Sequence, residues 1–291
     1  MTARILIIAG SDSGGGAGIH ADIKTVTMLG GHALTAVTAI TAQNTLGVQA
    51  VHRIPTDMVL AQIDSVASDI GIDAIKIGMI GSAETANAVA AYLERLSPLP
   101  EREGPGVGRP LNERDTSPKP PHPQPLPSRE GSRLPIIFDP VMIATSGSVL
   151  ADAATIAAFA RLMRIATLVT PNLPELAALG GESAIRAIGP AVLVKGGHAE
   201  GPHVTDRLVA DTGETRWTNP RIETRHAHGT GCTLASGIAT GLAQGLSLDA
   251  AIERAIAFVR AALANGPGLG AGHGPMGHAL GVSPFDQLRT K

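Results

Sequence analysis

The chain has 291 residues, 44% of them hydrophobic, enough for one large domain with a sizeable core. Lysine and arginine (23) nearly balance aspartate and glutamate (25), and only 2% of residues are aromatic, so neither a basic face nor a stacking platform for nucleic acid is present. A single cysteine excludes an intrachain disulfide, no apolar run is long enough to cross a bilayer, and the first residues are too short a run for a signal peptide. A cytoplasmic protein with no membrane partner is expected.

Residues 4–9 are a short apolar run of buried parallel-strand type, with Ile5, Leu6, Ile7 and Ile8. The run ends in a glycine loop from Gly10 to Gly18. A helix follows with Ile19, Ile23 and Val26 on one face, closed by Gly30 and Gly31. Such a loop can mark a dinucleotide site, but no acidic residue ends the next apolar run, 34–42. Gln43 and Asn44 stand there, which argues against a nicotinamide or flavin role. Thr56 is the expected N-cap of a helix whose inner face is Val59, Ile63, Val66 and Ile70. A strand at 74–78 carries Lys76 and leads into Met79. Ser82 then caps a helix with Val89, Leu93 and Leu96 inward.

Residues 97–135 hold 11 of the 21 prolines and show no apolar period, so they cannot bury a core. They are expected to be a solvated insertion at the sheet edge opposite the ligand crevice, removable without loss of catalysis. Beyond it, a strand at 135–139 ends in Asp139-Pro140-Val141-Met142, and a helix spans 152–164. A strand at 167–170 precedes Pro171-Asn172-Leu173-Pro174-Glu175, and a strand at 191–195 precedes Gly196-Gly197-His198. Residues 204–209 and 215–217 form a hairpin around Asp211-Thr212-Gly213.

The most informative stretch is His228-Gly229-Thr230-Gly231-Cys232-Thr233, a glycine-rich loop entering a helix with the apolar stripe Leu234, Ile238 and Leu242. A helix start has unpaired N–H groups and a partial positive charge. Gly229, Thr230 and Gly231 therefore suit a phosphate or a developing anion. At that positive end the thiol of Cys232 is expected to have a depressed pKa. The plainer alternative is a small buried apolar residue. A last long helix starts near Ser247, with Ile252, Ile256, Val259 and Leu263 inward, and stops at Gly266-Pro267 before an irregular tail.

The alternation of strand and helix predicts an α/β doubly wound, mostly parallel sheet in one domain over residues 1–291. Gln43, Met79, Asp139, Asn172 with Glu175, and Lys195 all follow predicted strands and so share one edge. Asn172 and Glu175 suit a hydrated Mg²⁺, although Glu175 fits equally well as a solvated first-turn residue. Lys195 suits phosphate oxygens, and Asp139 suits either a turn or a functional role. An anion site, a lysine and a carboxylate for Mg²⁺ point to phosphoryl transfer. The P-loop pattern is absent, so the phosphate site has another architecture.

Eight motifs, in order, resemble the hydroxymethylpyrimidine/phosphomethylpyrimidine kinases of thiamine biosynthesis, of the ribokinase-like superfamily. They are Gly10-Ser11-Asp12-Ser13-Gly14-Gly15, Ala17-Gly18-Ile19-His20-Ala21-Asp22, Thr41-Ala42-Gln43-Asn44-Thr45, Lys76-Ile77-Gly78-Met79, Asp139-Pro140-Val141-Met142, Thr170-Pro171-Asn172-Leu173-Pro174-Glu175, Lys195-Gly196-Gly197-His198 and the loop from His228 to Thr233. The resemblance covers nearly the whole chain except 97–135 and the extreme tail. It implies ATP- and Mg²⁺-dependent phosphorylation of 4-amino-5-hydroxymethyl-2-methylpyrimidine, then of its monophosphate, by a homodimer. It implies that Gln43 bonds the aminopyrimidine while Gly10, Ala17, Asp22 and Met79 line the pocket. Gly229, Thr230 and Gly231 would form the anion hole, and Cys232 would stand where related kinases have an aspartate base. Lys195, Gly197 and Asn172 would meet the nucleotide, and Glu175 and Asp139 the metal. Two departures stand out: Thr145 replaces a frequent lysine, and His226-Ala227-His228 replaces a frequent Asn-Thr-His. The rivals are a pyridoxal kinase, disfavoured by Gln43, and a non-catalytic pyrimidine-binding sensor, disfavoured by Lys195, Glu175 and Cys232.

Overall fold

The structure, a computed structural model, describes residues 2–96, 133–144 and 147–280. Most of the proline-rich segment, Thr145 and residues 281–291 lie outside the described residues, and with them the expectations placed there.

Strand β1 (Arg4–Ala9) is buried along almost its whole length, as a central parallel strand must be. Helix α1 (Gly18–Met28) returns over it, burying Ala21, Asp22, Thr25 and Val26. Strand β2 (His32–Val37) pairs in parallel with β1, from Arg4 opposite His32 to Ala9 opposite Val37. The apolar run expected at 34–42 is not one strand. At Thr38 the N–H still bonds the Ala9 carbonyl, but the Thr38 carbonyl accepts from Ile54, and the chain leaves the sheet. It continues as β3 (Ala39–Asn44) and folds back as β4 (Gly47–Arg53), a separate two-stranded flap. Ala39 and Thr41 are buried and Ile40 and Ala42 exposed, the period-2 pattern of a strand covered on one face. Gln43 therefore sits on the flap and not at the end of a sheet strand.

Helix α2 (Thr56–Asp69) is capped by Pro55 rather than by Thr56, whose hydroxyl bonds that of Thr85. Val59 and Ile63 are buried as expected, whereas Ile70 is exposed. Strand β5 (Ala74–Ile77) lies beside β1. Helix α3 (Ala83–Leu96) starts with Ser82 Oγ accepting the Thr85 N–H at 3.1 Å. Next come β6 (Ile136–Phe138), α4 (Ala153–Ile165) with Asp152 as its cap, and β7 (Leu168–Val169). Helix α5 (Leu173–Ala178) is followed by α6 (Glu182–Ile188), which the sequence reading missed, and by β8 (Ala191–Val194). The expected hairpin is β9 (His203–Ala210) with β10 (Gly213–Pro220). Helices α7 (Thr230–Ala243) and α8 (Leu248–Ala264) complete the described elements, α8 with Ser247 as its cap.

The main sheet has the order β10-β9-β8-β7-β6-β5-β1-β2, parallel from β2 to β8 and extended by the antiparallel hairpin. One apolar cluster packs α2, α3 and α4 on one face, and a second packs α1, α7 and α8 on the other. This is a doubly wound sheet. Helix α7 is buried from Thr233 through Gly241, so it is enclosed and not amphipathic with a single stripe. The end of α3 and the start of β6 lie at the edge away from the carboxyl ends of the strands.

Candidate active site

The carboxyl ends of β1, β5, β6 and β8 deliver Gly10, Met79, Asp139 and Lys195 to one edge, as a parallel sheet requires. At the β1 end, Asp12 organises the glycine loop. Its Oδ1 accepts the Gly14 N–H (2.8 Å), and its Oδ2 accepts those of Gly16 (3.0 Å) and Ala17 (2.8 Å). His228 Nε2 lies 2.9 Å from the same oxygen. Burial pushes the Asp12 pKa up, but His228 and the loop amides outweigh it and hold the carboxyl below its ordinary value. With Asp12 ionised, Nε2 of His228 donates. Gln43 Nε2 lies 3.1 Å from that nitrogen, which brings the flap to the loop. Met79 is buried at 9% exposure, and its methyl occupies the space that a side chain at Gly10 would take. Met79 also borders a cavity of about 450 Å³ under β4, lined further by Val51, His52, Arg53, Gly81, Val149 and Leu150.

The start of α7 enters between this loop and the Lys195 side chain. Gly229 is its N-cap, with φ +89°, and a Cβ there would stand 1.9 Å from the Gly16 carbonyl oxygen. No side chain caps the helix. The N–H groups of Gly231 and Cys232, in the first turn, have no carbonyl partner within the helix. A Cβ on Gly231 would come within 3.1 Å of Lys195 Nζ and 3.5 Å of Asp139 Oδ2. The glycine thus leaves a cradle open toward a cation.

Lys195 turns inward. Its Nζ donates to Asp139 Oδ1 at 2.7 Å and lies 3.7 Å from Glu175 Oε2. Thr170 Oγ1 donates to the same Asp139 oxygen at 3.1 Å. Against its burial, Asp139 and Glu175 raise the Lys195 pKa, so the ammonium is fixed in its charged form. Glu175 is not a solvated first-turn residue. It is buried, and burial with Asp139 alongside raises its pKa against the pull of Lys195. Asn172 and Glu175 form a reciprocal capping box: Asn172 Oδ1 accepts the Glu175 N–H, and Glu175 Oε2 accepts the Asn172 N–H, both at 2.8 Å. Gly197 faces open space in a short 3₁₀ turn, Gly196–His198.

Two expectations are corrected here. Asp22 does not line an open pocket. It is 0% exposed, accepting from Lys76 Nζ (2.9 Å) and from Ser236 Oγ (2.7 Å). The Cys232 thiol is not acidified. Burial pushes its pKa up to about 11, with Asp22 and Asp139 adding to the rise; Lys76 and the Gly18 N–H only partly oppose it. The helix-end argument ignored the cost of burying the thiolate, to which two carboxylates add. Sequence reading also missed Asp12, Lys76 and His228 as site-building residues. The signal for Lys76 was a lone lysine inside an otherwise apolar strand.

The segment after α8 crosses above the site. The His228 N–H bonds the Gly274 carbonyl (3.2 Å), and His228 bridges Pro275. His278 Nε2 meets Thr233 Oγ1 at 2.9 Å. At the flap turn, the His273 N–H bonds the Thr45 carbonyl (2.9 Å), and the Gly272 N–H bonds Thr45 Oγ1 (3.2 Å).

A parallel sheet whose edge meets an uncapped helix start, with a buried lysine between two carboxylates, defines a phosphotransferase of the ribokinase-like fold. Among solved structures, the pyridoxal kinase of Bacillus subtilis in an ADP complex superposes with a TM-score of 0.77 at 27% identity, over 96% of this chain and 98% of that one. The profile of the family described as phosphomethylpyrimidine kinase matches residues 12–100 and 128–277, and the chain belongs to that family. The unmatched stretch between falls inside the proline-rich segment. The hydroxymethylpyrimidine/phosphomethylpyrimidine kinase of Streptomyces coelicolor is 40% identical over 294 residues, 95% of either chain. The bifunctional thiamine biosynthesis protein ThiED of Geobacter sulfurreducens is also 40% identical, over 290 residues, but this chain spans only 52% of its length.

Proposed function

We propose that this protein transfers a phosphoryl group from ATP to the alcohol of 4-amino-5-hydroxymethyl-2-methylpyrimidine and then to the resulting monophosphate, yielding the diphosphate used in thiamine assembly. The observation that carries the reading is the placement of the α7 start. Gly229 abuts the Gly16 carbonyl of the loop on one side, and Gly231 faces Lys195 and Asp139 on the other. An acceptor under the flap and a phosphate beside Lys195 would then meet at the same amides.

In this reading the N–H groups of the first turn, from Gly231 and Cys232, hold the transferred group as its charge spreads over three oxygens. Lys195 and Gly197 meet the nucleotide phosphates. Asn172 has its side-chain oxygen committed to the capping box, so a nucleotide contact there would come from its NH₂. The donor set suits Mg²⁺. Asp139 and Glu175 share one cation and keep a net negative charge, and among the described residues no group of three or more His, Cys, Asp or Glu is arranged to hold a metal by itself. An ion held partly by phosphates and water fits that count, and it would neutralise charge on the phosphates.

Gln43, carried on the flap, reads the aminopyrimidine, and Ala17, Gly10 and Met79 shape the pocket. Asp22 acts from below through Lys76. Cys232, in its thiolate form, accepts the hydroxyl proton in the first transfer, so with its pKa raised to about 11 that step should quicken as pH rises. In the second, the acceptor is an ionised phosphate and needs no base. A homodimer in the cytoplasm is part of the same proposal; among the described residues no helix is long and apolar enough to cross a membrane.

The decisive experiment is an ATP-coupled assay against hydroxymethylpyrimidine, its monophosphate, pyridoxal and ribose. Turnover of the first two with little on the others is expected. Preference for pyridoxal would move the assignment to pyridoxal kinase, and binding of the pyrimidine without turnover would leave a sensor.

A further inference from the structure

Between β8 and β9 runs the loop Gly196-Gly197-His198-Ala199-Glu200-Gly201, half of whose residues are glycine. Glycine loses more conformational freedom on ordering than any other residue, so such a loop holds one shape only if its surroundings fix it. It is fixed from two sides. The Asp206 carboxylate on β9 accepts the Gly196 N–H at 2.9 Å. Arg221, the residue after β10, donates its own N–H to the Pro202 carbonyl (2.8 Å) and lays its side chain along the loop. Its Nε donates to the Gly201 carbonyl (2.9 Å), Nη1 to that of Gly197 (3.1 Å) and Nη2 to that of Ala199. One planar guanidinium thus gathers every second carbonyl from 197 to 201, which a fixed fork of donors can do and a single ammonium cannot.

The glycines of this loop are there for different reasons. A Cβ on Gly196 would stand 2.0 Å from the Thr205 carbonyl oxygen, and Gly201 has φ +108°, a conformation that other residues avoid. Neither reason applies to Gly197. Its φ lies outside the left-handed region, and among the described residues no atom lies within 4 Å of where its side chain would begin. Gly181, Gly189 and Gly213 also face open space, but each has a positive φ that asks for glycine. Bare backbone that neither packing nor geometry requires, two residues from Lys195, is a surface kept clear for a ligand. We propose that Arg221 is a positioning residue for the nucleotide: it holds the loop so that the backbone at Gly197 receives the phosphate chain of ATP beside Lys195. This rests on the kinase reading above. Arg221 acts through the loop carbonyls, so it serves the nucleotide in both transfers and leaves the pyrimidine pocket alone.

Calorimetric titration with ADP reads the loop without pyrimidine or turnover. Arg221→Gln, verified as folded by its thermal melt, should weaken ADP binding by about tenfold, and Arg221→Lys, which cannot span three carbonyls, should fall between it and wild type. In the coupled assay the KM for ATP should rise by the same factor in both transfers, while the KM for either pyrimidine and kcat at saturating ATP stay within about twofold, a split that a general loosening of the fold does not produce. Gly197→Ala should melt no lower than wild type, because its methyl meets no protein atom, yet should bind ADP about tenfold more weakly. A folded Arg221→Gln with wild-type ADP affinity overturns the proposal, and so does a Gly197→Ala that binds ADP as tightly as wild type. If Arg221→Gln does not fold, wild-type ADP affinity in Arg221→Lys overturns it equally. If ADP binding weakens as stated but neither pyrimidine is phosphorylated, the kinase reading has failed and the nucleotide clamp stands.

Discussion

Helices α5 and α7 begin on the same edge of the sheet and touch the same lysine, yet their first turns are built in opposite ways. At α5, Asn172 and Glu175 satisfy each other's backbone N–H groups, and Pro174 has none to offer. At α7 the cap is a glycine without a side chain; Thr230 N–H turns back to the Ala227 carbonyl, and the amides of Gly231 and Cys232 are left for a ligand. The first arrangement spends its donors on stability, and the second holds them for an anion. A helix N-terminus is therefore not a phosphate site by virtue of its dipole alone. What decides is whether the cap residue has already taken the donors.

Gly229→Ala breaks this comparison most severely. A Cβ placed 1.9 Å from the Gly16 oxygen, on a backbone with φ +89°, must displace the loop or the helix start. Both transfers should fall by about 1000-fold in kcat/KM, about 4 kcal/mol, in the coupled assay. A folded variant within tenfold of wild type would show that these amides do not hold the transferring group. Cys232→Ala comes next. The alcohol transfer should drop by about 100-fold or more, and the phosphate transfer far less. Equal losses would assign the residue to packing.

His278 tests the far side of the same first turn. Burial, reinforced by Lys24, lowers its pKa to about 4, so it is neutral when folded. The unfolded chain binds this proton at pH 6.5, so the stability it contributes is complete above that value and is lost as pH falls toward 4. By pH 5 the loss is about 2 kcal/mol. Urea unfolding at pH 7.5 and 5.0 should show His278→Gln losing less stability across this interval than wild type; equal losses refute the assignment. The smallest effect belongs to Asn172→Ala. It removes the α5 cap and should cost about 1 kcal/mol by thermal melt. An accompanying rise in KM for ATP would give the amide a nucleotide contact as well.

Sequence pattern carried the sheet a long way. Apolar runs such as Ile5 to Ile8 and Val192 to Val194 are buried strands, and the polar residues after them do gather at one edge. What failed was local. The flap strand β4 is largely exposed, so it has no apolar signature. Gln43 was placed on the correct side of the molecule for the wrong reason, since β3 leaves the sheet at Thr38. The Cys232 error has the same origin. Its pKa is raised first by burial and then by Asp22, 210 positions earlier in the sequence, and Asp139, none of which local pattern can reveal. Asp12 looked like one more loop residue because its partner, His228, lies 216 positions away.

The crossing after α8 fixes how short a working version of this enzyme can be. Cutting the chain before Gly272 would release Thr45 at the flap turn, strip the Gly274 carbonyl from His228 and remove His278 from Thr233. Three moorings on two distant parts of the site would go together. A minimal catalytic fragment must therefore retain residues through His278, although nothing beyond Ala264 belongs to a helix or to the sheet among the described residues.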